Sequence, residues 1–257
     1  MVRQISVAIP HYNNAEFMRE TLEHIYNDDR ISEIVICDDC SKDFEELQSI
    51  VSEFNNNKIV LLQNERNLGC YHNKLHSVSK CSNDWAILLD SDNIMKKDYI
   101  DTLFNIEKWN TNTIYAPVWA KTFPGERHSK FLNYNKFKNQ YITPEMYLHY
   151  FSTTDFKCLI NTCNYFLPTK QYLDVMNKYN YVRETIDCFD SAVLFTDWLC
   201  NNNEVFVVDG LIYLHRCHAN SNYVLTASKT DTKTVERNLV DKIKSFHSTS
   251  LHPALPN

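Results

Sequence analysis

The chain has 257 residues, a formal net charge of −6, 44 % hydrophobic and 23 % charged residues, enough for one large domain or two small ones around a buried core. The acidic balance argues against a general nucleic-acid binder. Three glycines, Gly69, Gly125 and Gly210, stand far apart, which excludes both the dinucleotide fingerprint and the P-loop, since each needs glycines clustered in one turn. No apolar run reaches the length of a membrane span, and no signal peptide precedes the first strand, so a cytoplasmic setting is expected. Nine scattered cysteines, an odd number, fit reduced thiols better than a disulfide framework.

In chain order, QISVAIP reads as a strand and AEFMRETLEHIYN as an amphipathic helix. SEIVICDD is a strand, DFEELQSIVSEF a helix, KIVLLQN a strand, YHNKLHSVSKC a helix and DWAILLDSD a strand, with the helical KKDYIDTLFNIEKW behind it. Short apolar strands alternating with helices predict an α/β fold: a mainly parallel sheet with helices on both faces. Such sheets bind ligands at the carboxyl ends of their strands. Three polar clusters fall there: Pro10-His11-Tyr12-Asn13, Asp38-Asp39 and Asp90-Ser91-Asp92. Aspartate is a poor strand former and costly to bury unpaired. Asp90-Ser91-Asp92 reads either as a helix-capping turn, which Asp, Ser and Asn favour, or as a cation site; a doubled acid at two strand ends of one sheet is hard to ascribe to turn chemistry alone.

The second half is less regular. Residues 119–142 read as a long loop, with five Lys/Arg against one Glu between Lys121 and Lys138. TPEMYLHYF starts a helix, with Thr143 as N-cap and Pro144 in the first turn. NTCNYFLP is a strand, TKQYLDVMNKY and SAVLFTDWLCNN are helices, and EVFVVDGLIYLHRCH reads as a strand pair turning near Asp209-Gly210. KTDTKTVERNLVDKIKSFHS is a surface helix. Cys37-x-x-Cys40 has redox or zinc spacing, but Cys37 lies inside a buried strand and no second pair follows, which favours core packing. His215 and His218 on one strand would face opposite sides, against a zinc half-site. Trp119 and Trp198 read as core residues.

ISVAIPHYN, EIVICDDCSKD, NERNLGCYHNK, WAILLDSDN, TCNYFLPTKQYL, DCFDSAVLFTDWL and YLHRCHANSN stand in an order and at spacings that resemble the inverting glycosyltransferases of family 2, over roughly residues 4–222. The resemblance implies the GT-A fold, a Rossmann-like, mostly parallel sheet flanked by helices. It divides the chain into one catalytic domain, 1–222 (nucleotide-binding half 1–110, acceptor-binding half 111–222), and a C-terminal helical tail, 223–257. It implies Mn²⁺ or Mg²⁺ at Asp92 and His218, with Asp90 holding the ribose or a metal-bound water. Asp39 would read the nucleobase, Asp38 would assist, and Pro10 and Tyr12 would form the floor and stacking wall. Ser91 joins this nucleotide set, and Lys74 lies near the basic residue that relatives direct at the phosphates, although their Arg-Asn pair is absent.

For the general base the resemblance expects an acidic pair before a helix. This chain has Asp187-Cys188-Phe189-Asp190 instead. Asp190, at the helix start, is favoured over Asp187; its alternative is a plain helix cap. The expected donor is a UDP-sugar. The acceptor is a hydroxyl of a glycan or other molecule, and the cations of the 119–142 loop suggest that it is anionic. The processive Gln-x-x-Arg-Trp motif is absent, which implies transfer of single sugars. The competing reading is an inactive module that keeps the fold and binds a sugar nucleotide or glycan.

Overall fold

The computed structural model describes residues 3–124, 132–150, 164–182, 186, 189–226, 229 and 231–251. Its first half follows the predicted alternation: β1 (Ile5–His11), α1 (Ala15–Glu23), β2 (Ile31–Asp38), α2 (Phe44–Glu53), β3 (Ile59–Gln63), α3 (Cys70–Ser79), β4 (Trp85–Leu88) and α4 (Lys97–Phe104). Then come β5 (Thr113–Phe123), β6 (Tyr141–Ile142), α5 (Pro144–Tyr150), β7 (Phe166–Pro168), α6 (Thr169–Met176), α7 (Asp190–Leu199), β8 (Glu204–Arg216), α8 (Asn222–Thr226) and α9 (Thr232–Leu251).

Among the described residues the strands form one sheet in the order β3-β2-β1-β4-β7-β5-β8-β6. β1 runs parallel to β2 and β4, and β2 to β3. β7 is antiparallel to both of its neighbours, and β5 and β8 are parallel to each other. Alternate side chains of β1 point to opposite faces, and the sheet accordingly separates two cores. Ile5, Val7 and Ile9 pack with Met18 and Leu22 of α1, Leu47 of α2 and Leu103 of α4. Ala8 faces the other way, with Val78 of α3, Tyr147 of α5, Tyr172 of α6, Trp198 of α7 and Ile243 of α9. Because β1, β2 and β4 are mutually parallel, their carboxyl ends open on one edge, where His11, Asp38 and Asp90 follow one another.

Two readings of the second half are corrected. The segment from Glu204 to Arg216 is one strand, not a hairpin: β5 pairs in parallel with both its halves, from Thr113↔Glu204 to Phe123↔Arg216. Asp209-Gly210 is a bulge. The register steps from Pro117↔Val208 to Trp119↔Ile212, and Gly210 absorbs the extra chain at φ +81°, a backbone region that glycine enters without a Cβ penalty. Nor does a loop start at 119, since β5 continues to Phe123 and Trp119 bridges to Asn133. Gly125, Arg127, Lys130 and Phe131 lie outside the described residues.

α9 is the helix predicted to lie on the surface, and it buries Leu239 and Ile243 in the hydrophobic core on the Ala8 side of the sheet. Thr143 caps α5, its Oγ1 accepting the Met146 N–H at 3.4 Å. Among the described residues no helix is long and apolar enough to cross a membrane. Cys37 is buried and its thiol is pushed up to about 12 by desolvation, so Cys37 packs as a small apolar side chain.

Candidate active site

The edge where the parallel strands end carries a lysine held between two acids. Lys74 Nζ lies 2.6 Å from Asp190 Oδ2 and 3.2 Å from Asp90 Oδ1. Lys74 and Asp190 are nearly buried, their side chains 5 % and 10 % exposed. Lys74 reaches this point because α3 packs under β1 and beside α7. Asp190 reaches it as the first residue of α7. Its carboxylate does not cap that helix, for which no side-chain cap bond forms; it takes the Lys74 ammonium, with Cys70 Sγ and Ser191 Oγ each at 3.5 Å. Asp187 lies outside the described residues.

Asp90 is fixed from below. Its N–H donates to Asn164 Oδ1 at 2.9 Å, and the amide nitrogens of Asn93 and Asn164 reach its Oδ2 at 3.4 Å. Asn164 holds a left-handed φ of 73°, and its carbonyl accepts the buried Tyr99 hydroxyl at 2.6 Å. Asp90 keeps 28 % of its side chain open to the cleft. Desolvation of the rest raises its pKa, Asp92 and Asp190 add to that, and Lys74 opposes them.

Asp92 points to a second corner, where its Oδ2 meets His218 Nε2 at 2.8 Å. The end of β8 is pinned there: Arg216 N–H donates to Asn93 Oδ1 at 3.0 Å and Arg216 Nε to the Asp92 carbonyl at 2.9 Å. This pinning carries His218 over the acidic turn. His215 also comes within electrostatic range of Asp90, Asp92 and His218. Burial lowers its pKa while the two aspartates oppose that shift. β8 ends at Arg216, so strand alternation reaches His215 and not His218.

The donor atoms suit a hard divalent cation: one carboxylate oxygen and one imidazole nitrogen in contact, a set compatible with Mn²⁺. His215 Nδ1 and His218 Nδ1 are buried without hydrogen-bond partners, so the imidazoles here are not saturated by protein. Asp92 and His218 fit such an ion, and Asp90, turned to Lys74, would face it from one side. Among the described residues, three potential ligand atoms lie within 4.8 Å of one another only at His11, Asp38 and Asp43. There His11 Nε2 accepts the Asn14 N–H at 3.3 Å while Nδ1 faces Asp38 at 3.0 Å. Asp38 also accepts the Ser41 N–H, and Asp43 the Ala15 N–H. This trio fastens the loops after β1 and β2.

Of the predicted nucleotide residues, Asp38 is buried in that fastening and Ser91 is almost fully buried. Asp39 holds the approach to α3: its carboxylate accepts the N–H groups of Leu68 at 2.7 Å and Gly69 at 2.9 Å, and the Asn64 amide at 2.9 Å. Tyr12 stands 45 % exposed beside Pro10 at the end of β1. The edge thus gathers Pro10, Tyr12, Asp39, Lys74, Asp90, Asp92, Asp190 and His218. In the predicted basic segment, Lys138 pairs with Asp209, and Lys121 and Lys136 lie over aromatic rings. Asn164 went unmarked, and no local pattern singles it out; His215 was weighed only as half of a zinc spacing.

The chain matches the family described as Glycosyl transferase family 2 over residues 6–165. It is similar to the glycosyltransferase GlyG of Streptococcus pneumoniae, 30 % identical over 105 residues, which are 40 % of this chain and 35 % of that one. The abequosyltransferase RfbV of Salmonella typhimurium is 35 % identical over 103 residues, 38 % of this chain and 31 % of that one. The matched segment is thus about a third of the length of these curated relatives. Among solved structures, S. aureus TarS 1-349 in complex with UDP-GlcNAc superposes with a TM-score of 0.65 at 17 % identity, covering 98 % of this chain and 76 % of that one. The mannosyltransferase PcManGT of Pyrobaculum calidifontis, in complex with GDP-Man and Mn²⁺, gives 0.61 at 11 % identity, covering 100 % and 77 %. These likenesses identify the fold as GT-A, and the family match over more than half its length makes this chain a member of glycosyl transferase family 2.

Proposed function

We propose that the protein is an inverting glycosyltransferase that moves one sugar from a UDP-sugar to a hydroxyl of a glycan or other acceptor. The observation that carries this reading is the convergence of Asp90, at the end of β4, and Asp190, at the start of α7, on Lys74. A candidate base thereby stands beside the strand end where a nucleotide sugar would lie. In the reaction the acceptor oxygen attacks the anomeric carbon and its proton passes to the Asp190 carboxylate. The bond from the anomeric carbon to the diphosphate oxygen breaks, and the electron pair leaves with the nucleoside diphosphate.

Asp92 and His218 would hold the divalent cation, which when bound offsets the charge that develops on the leaving diphosphate. Lys74 would add a second positive charge to the same side of the cleft. Tyr12 and Pro10 would flank the base, with Asp39 at the back of that pocket. The UDP and UDP-GlcNAc complexes of S. aureus TarS support a uridine nucleotide, and the Mn²⁺ of PcManGT supports the metal.

The test is turnover of a panel of UDP-sugars and GDP-mannose with Mn²⁺, with released nucleotide read by chromatography. A UDP-sugar should be consumed, and both excess EDTA and Asp92→Ala should abolish the signal. Full activity in EDTA overturns the metal role. Nucleotide binding without any turnover favours the inactive binding module.

A further inference from the structure

α7 presents one side chain per turn along a single stripe: Asp190, Val193 and Asp197. Asp190 meets Lys74 at the helix start. Seven residues on, Asp197 is fully buried, accepts the Tyr181 hydroxyl at 2.9 Å and pairs with Lys242 of α9. Between these two anchors, beside Val193, lies a cavity of about 330 Å³ bounded by Tyr181 on one side and the first turns of α9 on the other. Val193 is one helical turn from Asp190, a rise of about 4.5 Å.

The lining is two-faced. Ile186, Val193 and Leu239 supply apolar wall, and Asp231, Thr234 and Asn238 supply a polar rim from α9 and its cap. The Tyr181 ring is held in place before any ligand arrives. Its hydroxyl is bound by Asp197 and Lys242, its carbonyl contacts His72 Nε2 at 3.0 Å, and its ring packs edge-on to Tyr71 at 5.3 Å. Asp231 accepts the Thr234 N–H and hydroxyl, which lowers its pKa and keeps an anion at the rim.

We infer that this cavity is the acceptor subsite and takes one uncharged pyranose ring. Its volume of about 330 Å³ is near the lower end for ligand cavities and has room for a pyranose ring. A pyranose has an apolar C–H face for the aliphatic wall and Tyr181, and a belt of hydroxyls for Asp231, Thr234 and Asn238. The anionic rim disfavours a carboxylated or phosphorylated ring at this position. The inference rests on the glycosyl-transfer reading for its role, and adds to it which side of α7 the acceptor approaches and which chemistry it carries.

Ligand-observed NMR with methyl glucoside, galactoside, mannoside and N-acetylglucosaminide at millimolar concentration tests the assignment on the intact chain. At least one glycoside should bind the wild type. Asn238→Trp, which fills the cavity from exposed α9, should weaken it about tenfold or more, while Lys244→Trp, exposed on the same helix and outside the lining, stays within about threefold. Thermal melting verifies that both variants are folded. UDP should not displace the glycoside. Binding of no glycoside, binding undiminished in Asn238→Trp, or displacement by UDP each overturns the subsite. UDP affinity measured on the same samples tests the donor reading separately, so a wild type that binds glycoside but not UDP removes that reading alone.

Discussion

At the scale of single residues, the base assignment turns on Asp190 and its lysine. Asn at position 190 keeps the size and a hydrogen-bonding oxygen, and Lys74 retains Asp90 at 3.2 Å, so the fold and the nucleotide side should survive. A positioned general base contributes about 10²–10⁴ in rate. Asp190→Asn should therefore lower kcat by at least ~100-fold while UDP affinity, measured by calorimetry, stays close to wild type. Normal turnover by Asp190→Asn beside a dead Asp187→Asn would reassign the base to Asp187. The acids were legible because each doubled carboxylate follows an apolar strand that has no use for charge. Lys74 was legible only as a cation near the phosphates. Its bond to Asp190 spans 116 residues and exists only once α3 and α7 are packed.

At the scale of elements, the strand and helix alternation of the first ninety residues was legible because each element carries its own period and its own apolar face. The β5–β8 region was not, since Asp209-Gly210 has the composition of a hairpin turn and only the parallel partner strand reveals it as a bulge. The bulge makes a direct prediction. A Cβ at Gly210 would meet Thr102 at an ordinary 3.6 Å, but its φ of +81° is strained for any L side chain. Gly210→Ala should cost about 1–2 kcal/mol of stability in denaturant titration, with Gly210→Asn less harmful because Asn tolerates positive φ better. Equal stability of Gly210→Ala and the wild type would refute the strained-bulge account.

At the scale of the whole molecule, α9 is clamped to the catalytic core through Lys242, whose ammonium sits 3.6 Å from the Tyr179 ring centroid and pairs with Asp197. Burial raises Asp197 from an ordinary 3.8 to about 6, outweighing the adjacent lysine. A folded-state pKa above the unfolded one gives stability that is complete below pH ~4 and lost as pH rises through about 6. The pH 4–6 window should therefore cost the wild type on the order of 3 kcal/mol relative to Asp197→Asn, read as a narrowing gap in Tm. A gap that stays constant across this window would show that Asp197 titrates normally. The sheet order has a further consequence, for synthesis. β4 lies between β1 and β7, so the four parallel strands built from the first 88 residues present an unpaired inner edge until Pro168 has been made. At ribosomal rates of about 5–20 residues per second, that edge stays open for roughly 4–16 s. During that interval the nascent chain offers a template for pairing with a neighbouring strand, and chaperone dependence should concentrate there.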